Sequence, residues 1–256
     1  MRTTTTRITR LFLILCVLLT HRAAVAAGPP GGPGPRVVEP DASGVLHINI
    51  YRDFDYAPTG WPMGLSSGQT RAAGLSDAPM EALVRQPVYS SPKPLYGYLR
   101  LGNTEDTTVS FVLDEVEKPG WALYVDRNNN EDLTDDGAPV RNKGTLKMSA
   151  TVALDVDIAV PGGARMTAPY QIWFFVNGGV PAFYATCHWA GRLRINGAVY
   201  GAVAFEETGH DGLYKENGVC IDINKDGKCE KETELLMDGE GFRTEGKEYR
   251  VRLEYP

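Results

Sequence analysis

The chain is poor in the soft metal ligands, with four histidines and four cysteines in 256 residues. HExxH, Walker and dinucleotide-binding patterns are also absent, and no G-x-S-x-G nucleophile elbow is expected, which removes the usual signatures of zinc peptidases, nucleotide-binding folds and serine hydrolases. A basic excess is missing too: 26 Lys and Arg face 32 Asp and Glu, for a net charge of −6. Phosphate backbones are held through Lys and Arg, so nucleic acid is not an expected partner. After residue 27 no apolar run approaches the roughly 20 residues that cross a bilayer, and no membrane span is expected.

The N-terminal stretch does carry information. Arg2, Arg7 and Arg10 precede the apolar segment Leu11 to Leu19, and Ala24-Val25-Ala26 supplies a small-x-small cleavage pattern. Residues 1–27 therefore read as a secretory signal peptide, with a secreted, periplasmic or extracellular destination. Acylation of Cys16 is disfavoured, because Leu15 stands where a lipobox takes a small residue. Cleavage would remove four arginines (Arg22 is the fourth) and no acids, moving the net charge from −6 to −10. Such acidity suits a protein that collects cations. Cys187, Cys220 and Cys229 would remain, and export permits a Cys220–Cys229 disulfide.

Gly28 to Pro35 is Gly/Pro-rich, and residues 28–44 read as a linker. The fold is expected to begin near Val45, where Val45 to Tyr51 alternates apolar and polar residues as a half-buried strand does. Beyond residue 95, β-branched and aromatic runs alternate with turn residues such as Asn177-Gly178-Gly179 and Asn196-Gly197. The expected fold is mainly β, an antiparallel sandwich or barrel-like set of sheets, with at most one short helix over 77–85. A weak internal repeat aligns Gly97-Tyr98-Leu99-Arg100-Leu101 with Gly191-Arg192-Leu193-Arg194-Ile195. It predicts two related halves, 45–180 and 181–256.

Each half ends its repeat on an oxygen-rich loop, at 126–137 and 222–233. Asp126, Asn128 and Asn130 alternate in the first, and Asp222, Asn224 and Asp226 in the second. Alternate oxygen donors on a tight turn can converge on one hard cation, and Ca²⁺ takes six to eight oxygens at about 2.3–2.6 Å. Over about a dozen residues each loop resembles the calcium loops of the EF-hand and dockerin families. That resemblance implies side-chain ligands at those six positions and backbone carbonyls from Asp132 and Lys228. Gly137 and Thr233 occupy the place of the closing acid, so Asp136 and Glu232 are expected to close the shells, with Asp135 and Glu234 as substitutes. Gly227 suits the sharp turn at position 6; Glu131 suits it poorly. The flanks read as strands, so the expectation is a weak, structural Ca²⁺ site grafted on a β scaffold. The competing reading is a set of Asx turns between strands.

A poorer pattern at Glu206 to Gly212 reads as a hairpin turn. Cys187-His188 suggests a thiol enzyme, but neighbours on a strand point to opposite faces, so Cys187 reads as a buried core thiol. Trp61, Trp121, Trp173 and Trp189 offer a stacking platform for a glycan or protein partner, with Trp61 the one in a loop. The function expected is therefore an exported calcium-binding protein. A carbohydrate- or protein-binding module is the alternative, and a hydrolase or thiol enzyme ranks behind both; no catalytic residue is assigned.

Overall fold

The computed structural model describes residues 36–80, 83–117, 120–142 and 147–255. The expected signal peptide and the Gly/Pro-rich residues 28–35 lie outside the described residues. Among these, strands begin with β1 (Val37–Val38), β2 (Val45–Asn49), β3 (Asp55–Ala57), β4 (Thr70–Arg71), β5 (Leu95–Arg100) and β6 (Thr108–Glu117). They continue with β7 (Gly120–Val125), β8 (Val140–Arg141), β9 (Met148–Ala159), β10 (Arg165–Asn177), β11 (Val180–Ala185) and β12 (His188–Ile195). The remainder are β13 (Ala198–Ala204), β14 (Val219–Ile221), β15 (Leu235–Leu236), β16 (Gly241–Thr244) and β17 (Lys247–Glu254). The protein is mostly β, as its alternation predicts.

Four sheets share one core. Their strand orders are β5-β6-β7-β8, β4-β11-β10-β9, β16-β17-β2, and β1-β12-β13-β14-β15 with β3 also paired to β12. Strand β10 illustrates the sequence logic. Ala168, Tyr170, Ile172, Phe174 and Val176 are buried, while Gln171, Trp173 and Phe175 between them are half-buried on the outer face, the period of two that a pleated strand imposes. The rings of Phe174 and Phe111 meet edge to face with centroids 4.9 Å apart, joining β10 to β6. Truncating such a ring typically costs about 3–5 kcal/mol.

Two glycines in the aligned segments each pack against an aromatic ring. A Cβ on Gly97 would lie 2.3 Å from the Phe111 ring, and one on Gly191 would lie 2.0 Å from the Phe54 ring. Each strand leaves a gap that an aromatic face fills. From these glycines the paths run in parallel, β5-β6-β7-β8 and β12-β13-β14-β15, and each oxygen-rich loop leaves the third strand of its path.

Several boundaries differ from expectation. Val37 and Val38 pair in parallel with Arg192 and Leu193, so ordered strand begins ahead of Val45. The 180/181 division falls at the start of β11, and β2 pairs with β17 across it; residues 35–256 form one compact unit. No helix forms among the described residues of 77–85. Backbone groups there are taken by tertiary partners: Ser76 bridges Tyr96, and the amides of Val84 and Arg85 donate to the Glu131 carbonyl. Two single-turn helices occur instead, α1 (Ile50–Asp53) and α2 (Tyr214–Asn217), one more than expected. The Asn49 side chain caps α1 by accepting from the Arg52 amide.

Candidate metal loops

Both loops are hung from their sheets in the same way. The Asp126 amide donates to the Ser110 carbonyl of β6 at 2.9 Å, and the Asp222 amide to the Gly201 carbonyl of β13 at 3.0 Å. Beyond that anchor, the fourth and sixth loop residues are left-handed in both copies. Asn129 and Glu131 have φ of 54° and 66°, and Lys225 and Gly227 have 63° and 79°. These two reversals curl each chain back over its first aspartate.

Backbone amides then point at side-chain oxygens. Asp126, fully buried, accepts from the amides of Asn130 at 3.0 Å and Glu131 at 2.7 Å. Asp222 accepts from Gly227 at 3.2 Å. At the fifth position, Asn130 Oδ1 accepts from the Asp132 amide at 2.9 Å, and Asp226 Oδ1 from the Lys228 amide at 2.8 Å. Asn224 Oδ1 accepts from the Asp226 amide at 2.8 Å.

The closing acids separate the two copies. Asp136 Oδ1 takes the Arg127 amide at 2.7 Å, folding the end of the first loop onto its start. In the second loop Glu234 closes the turn in its place, its Oε1 accepting from Ile223 at 2.8 Å and Asn224 at 3.1 Å. Glu234 is 2% exposed, whereas Glu232 faces solvent. A turn in which Glu234 N–H donates to the Glu230 carbonyl at 2.8 Å sets this register. Asn128, Asn130, Asn224, Asp226 and Lys228 are exposed. The Asp132 side chain is engaged by Thr134 and lies 3.5 Å from Arg85, leaving its carbonyl as the group the resemblance assigns.

Three buried oxygens in these loops have no hydrogen-bond donor: Asn129 Oδ1, Asp136 Oδ2 and Asp222 Oδ1. A buried acceptor without a partner is unusual and costly. Burial pushes the Asp136 carboxyl up to about 6, with the neighbouring Asp126 and Asp135 charges adding to it. Asp126 is also raised by burial, against the pull of its backbone donors. A divalent cation would relieve both effects, and the donor set of carboxylate, amide and carbonyl oxygens fits a hard ion. Among the described residues no group of three or more His, Cys, Asp or Glu side chains is arranged to hold a metal. The amide and carbonyl oxygens are therefore essential to any shell.

Covalent and apolar pins complete the loops. Leu133, at the eighth position of the first, is buried at 2% exposure. Cys229 at the same place in the second is disulfide-bonded to Cys220 of β14, with Cα atoms 6.1 Å apart.

The remaining candidates sort simply. Cys187 is buried; its thiol contacts the Tyr214 hydroxyl at 3.1 Å and receives the Gln171 amide at 3.1 Å, while His188 Nδ1 faces the Gly60 carbonyl at 3.2 Å. Thiol and imidazole are not paired, and burial pushes the Cys187 thiol above its usual range. Trp189 is core, and Trp121 is half-buried beneath the Lys147 ammonium. Trp61 is 52% exposed and begins an outward row in which its ring lies 6.1 Å from Tyr184, itself 6.3 Å from Phe175.

In the third pattern Glu206 is buried and accepts from Tyr170 hydroxyl and the Asp211 and Gly212 amides, at 2.5, 3.0 and 2.7 Å. Protein donors close that shell without an ion.

Sequence reasoning missed the partners of His210. Ser67 Oγ lies 2.6 Å from its Nε2 and Thr70 Oγ1 lies 2.8 Å from its Nδ1. One local signal was present: Gly64-Leu65-Ser66-Ser67-Gly68 spells G-x-S-x-G, although its central serine is Ser66. It follows a 3₁₀ turn at Pro62–Gly64 rather than a strand, so it is not the strand-to-helix elbow that spelling usually marks.

No protein-family model, curated protein or solved structure matches this chain. Among the described residues no helix is long and apolar enough to cross a membrane.

Proposed function

We propose that this is an exported calcium-binding β protein in which the two loops are copies of one structural metal site. Asp126, Asn128, Asn130, Asp136 and the Asp132 carbonyl would hold the ion in the first loop. Asp222, Asn224, Asp226, Glu234 and the Lys228 carbonyl would hold it in the second. The observation that carries this reading is one buried carboxylate oxygen without a donor in each loop, at Asp136 and at Asp222. The matched pair of left-handed residues in each loop supports it, as does the Cys220–Cys229 bridge, which belongs in an oxidising compartment. Exposed ligands and neutral amides favour a weak affinity, near the roughly 10⁻⁴–10⁻³ M of extracellular modules. The ion's role is to order loops, not to perform chemistry.

Calorimetric titration with Ca²⁺ tests this and counts sites. Two sites are expected, with a melting temperature that rises in millimolar Ca²⁺ and falls with chelator, because a ligand of the native state stabilises it. Asp222→Ala with Asp226→Ala should leave one site. Absence of heat and an unchanged melt in wild type would refute the reading.

The glycan-binding alternative draws on the exposed Trp61–Tyr184–Phe175 row, since ring faces stack on sugar rings. Trp61→Ala should weaken retention on a polysaccharide column at least about tenfold if one stacked ring supplies about 1.4 kcal/mol; unchanged retention would exclude that platform.

A further inference from the structure

We propose that Ser67 and His210 form an ester-hydrolysing pair that removes a short acyl group from a ring-shaped alcohol, independently of the loop metals. The two residues are 143 positions apart, yet Ser67 Oγ and His210 Nε2 stand 2.6 Å from each other. That is within the reach a nucleophile and its base require. The third element is Thr70, whose hydroxyl is 2.8 Å from Nδ1 and 3.3 Å from the Gly209 carbonyl. When Thr70 donates to Gly209 and accepts from Nδ1–H, Nε2 is bare and accepts the Ser67 proton. Ser67 Oγ also lies 3.1 Å from the Glu206 carbonyl, which takes the serine proton in the opposite tautomer. Two proton arrangements are thus satisfied, as a proton-transfer pair needs.

His210 is fully buried and held in a left-handed conformation at φ 46°, between Gly209 and Gly212 at 89° and 83°. A non-glycine residue there is strained, a feature that collects at functional sites. Burial also holds the imidazole below its usual range, neutral and basic at pH 7. Ser67 lines a recess with about 10 Å³ of free room, roughly that of one water or methyl group, walled by Trp61, Pro62, Leu65, Phe205 and Cys187. The narrow recess limits the acyl group to acetyl size, and the exposed Trp61 ring at its wall offers a face for a sugar-like alcohol.

The step balances with water as co-reactant. Ser67 Oγ bonds to the acyl carbon while its proton passes to Nε2; the ester C–O bond breaks and the leaving alcohol takes that proton. Water then attacks the acyl-serine, giving a proton to Nε2 that returns to Oγ as the carboxylic acid leaves.

The full chain is treated with a fluorophosphonate and, separately, assayed for acetate release from acetylated glucose and from p-nitrophenyl acetate. One covalent adduct is expected, located on Ser67 by peptide mass spectrometry. Hydrolysis should exceed buffer by at least about 10²-fold, the low end for acid–base catalysis. Its rate should rise with pH to a plateau reached through a pKa below 6.5, His210's ordinary value. Ser67→Ala, a one-oxygen deletion at a half-buried site, should still fold, with a melt lowered modestly because His210 Nε2 loses its partner, and should lose both adduct and turnover. Chelator should leave the rate unchanged even where it lowers the melting temperature, which separates this proposal from the calcium reading. An adduct elsewhere, no adduct at all, or hydrolysis surviving in Ser67→Ala overturns it.

Discussion

The loops at 126–137 and 222–234 reach one backbone path with different residues. Each bends left-handed at its fourth and sixth positions and turns amides onto its first aspartate. The first relies on burial: Asp126 and Leu133 are both inside, and the 83–85 segment braces it, with the Leu133 amide donating to the Arg85 carbonyl. The second is more exposed and relies on a covalent bond and a glycine, Cys229 replacing Leu133 and Gly227 replacing Glu131. The shared path is what the proposed oxygen shell would require; the different residues reflect how much core each loop can borrow.

That contrast is most sharply broken at the first aspartate. Asp126→Ala strands two part-buried amides, those of Asn130 and Glu131, at about 1–3 kcal/mol for each unsatisfied group. We expect a loss of about 2–4 kcal/mol in denaturant unfolding. Asp222→Ala strands one amide in a solvent-facing turn and should cost about 1 kcal/mol or less without calcium. Equal losses would mean that the loops do not differ in the way their burial indicates.

The pins come next. The Cys220–Cys229 bridge closes a segment with a separation of 9 residues, for which chain entropy gives about 2.5 kcal/mol. Cys220→Ser should lower stability by that amount and weaken calcium binding at the second loop alone. Leu133→Ala should cost a similar amount, within the roughly 2–5 kcal/mol of core truncations, and weaken the first loop alone. Calorimetry on both variants tests the reciprocity; a disulfide variant that affects the first site would show the loops to be coupled.

Glu206 is the control for what an ion is needed to do. Its three donors come from protein, yet burial raises its carboxyl from 4.5 to about 8. The folded state therefore binds this proton more tightly than the unfolded state. Its stabilisation is complete below pH 4.5 and is lost as pH rises through 8. Between pH 5 and 7 the loss amounts to about 2 kcal/mol. Glu206→Gln, which copies the protonated acid, should flatten that part of the pH–stability curve; an unchanged slope would assign it to other groups.

Strand β10 and the Asp/Asn spacing were legible because alternation and loop chemistry are local. So was the turn preference of Gly227. Glu234 was not, because the choice between it and Glu232 depends on the short turn that begins at Glu230. The helix expected over 77–85 failed for a related reason. Its local cap and apolar spacing were present, but Tyr96 and Glu131, distant in sequence, take its backbone groups. Ser67, Thr70 and His210 meet only after four sheets have assembled, and no local pattern encodes a pairing across 140 residues.

The smallest expected effect asks whether Glu131 is the weak point of the first loop. Its φ of 66° places a β-carbon where only glycine is unstrained, and the equivalent Gly227 sits at 79° without penalty. Left-handed strain in an L-residue is worth roughly 1–2 kcal/mol. Glycine's greater unfolded-state entropy offsets about 0.5–1 kcal/mol of the relief. The Glu131 carbonyl that accepts from Val84 survives the change, since it is backbone. Glu131→Gly should therefore stabilise the protein by about 0.5–1 kcal/mol and tighten calcium at the first site, making the two loops more alike. If it destabilises instead, the Glu131 side chain holds the turn by a contact that outweighs its strain, and the loops reach their common path by energetically distinct routes.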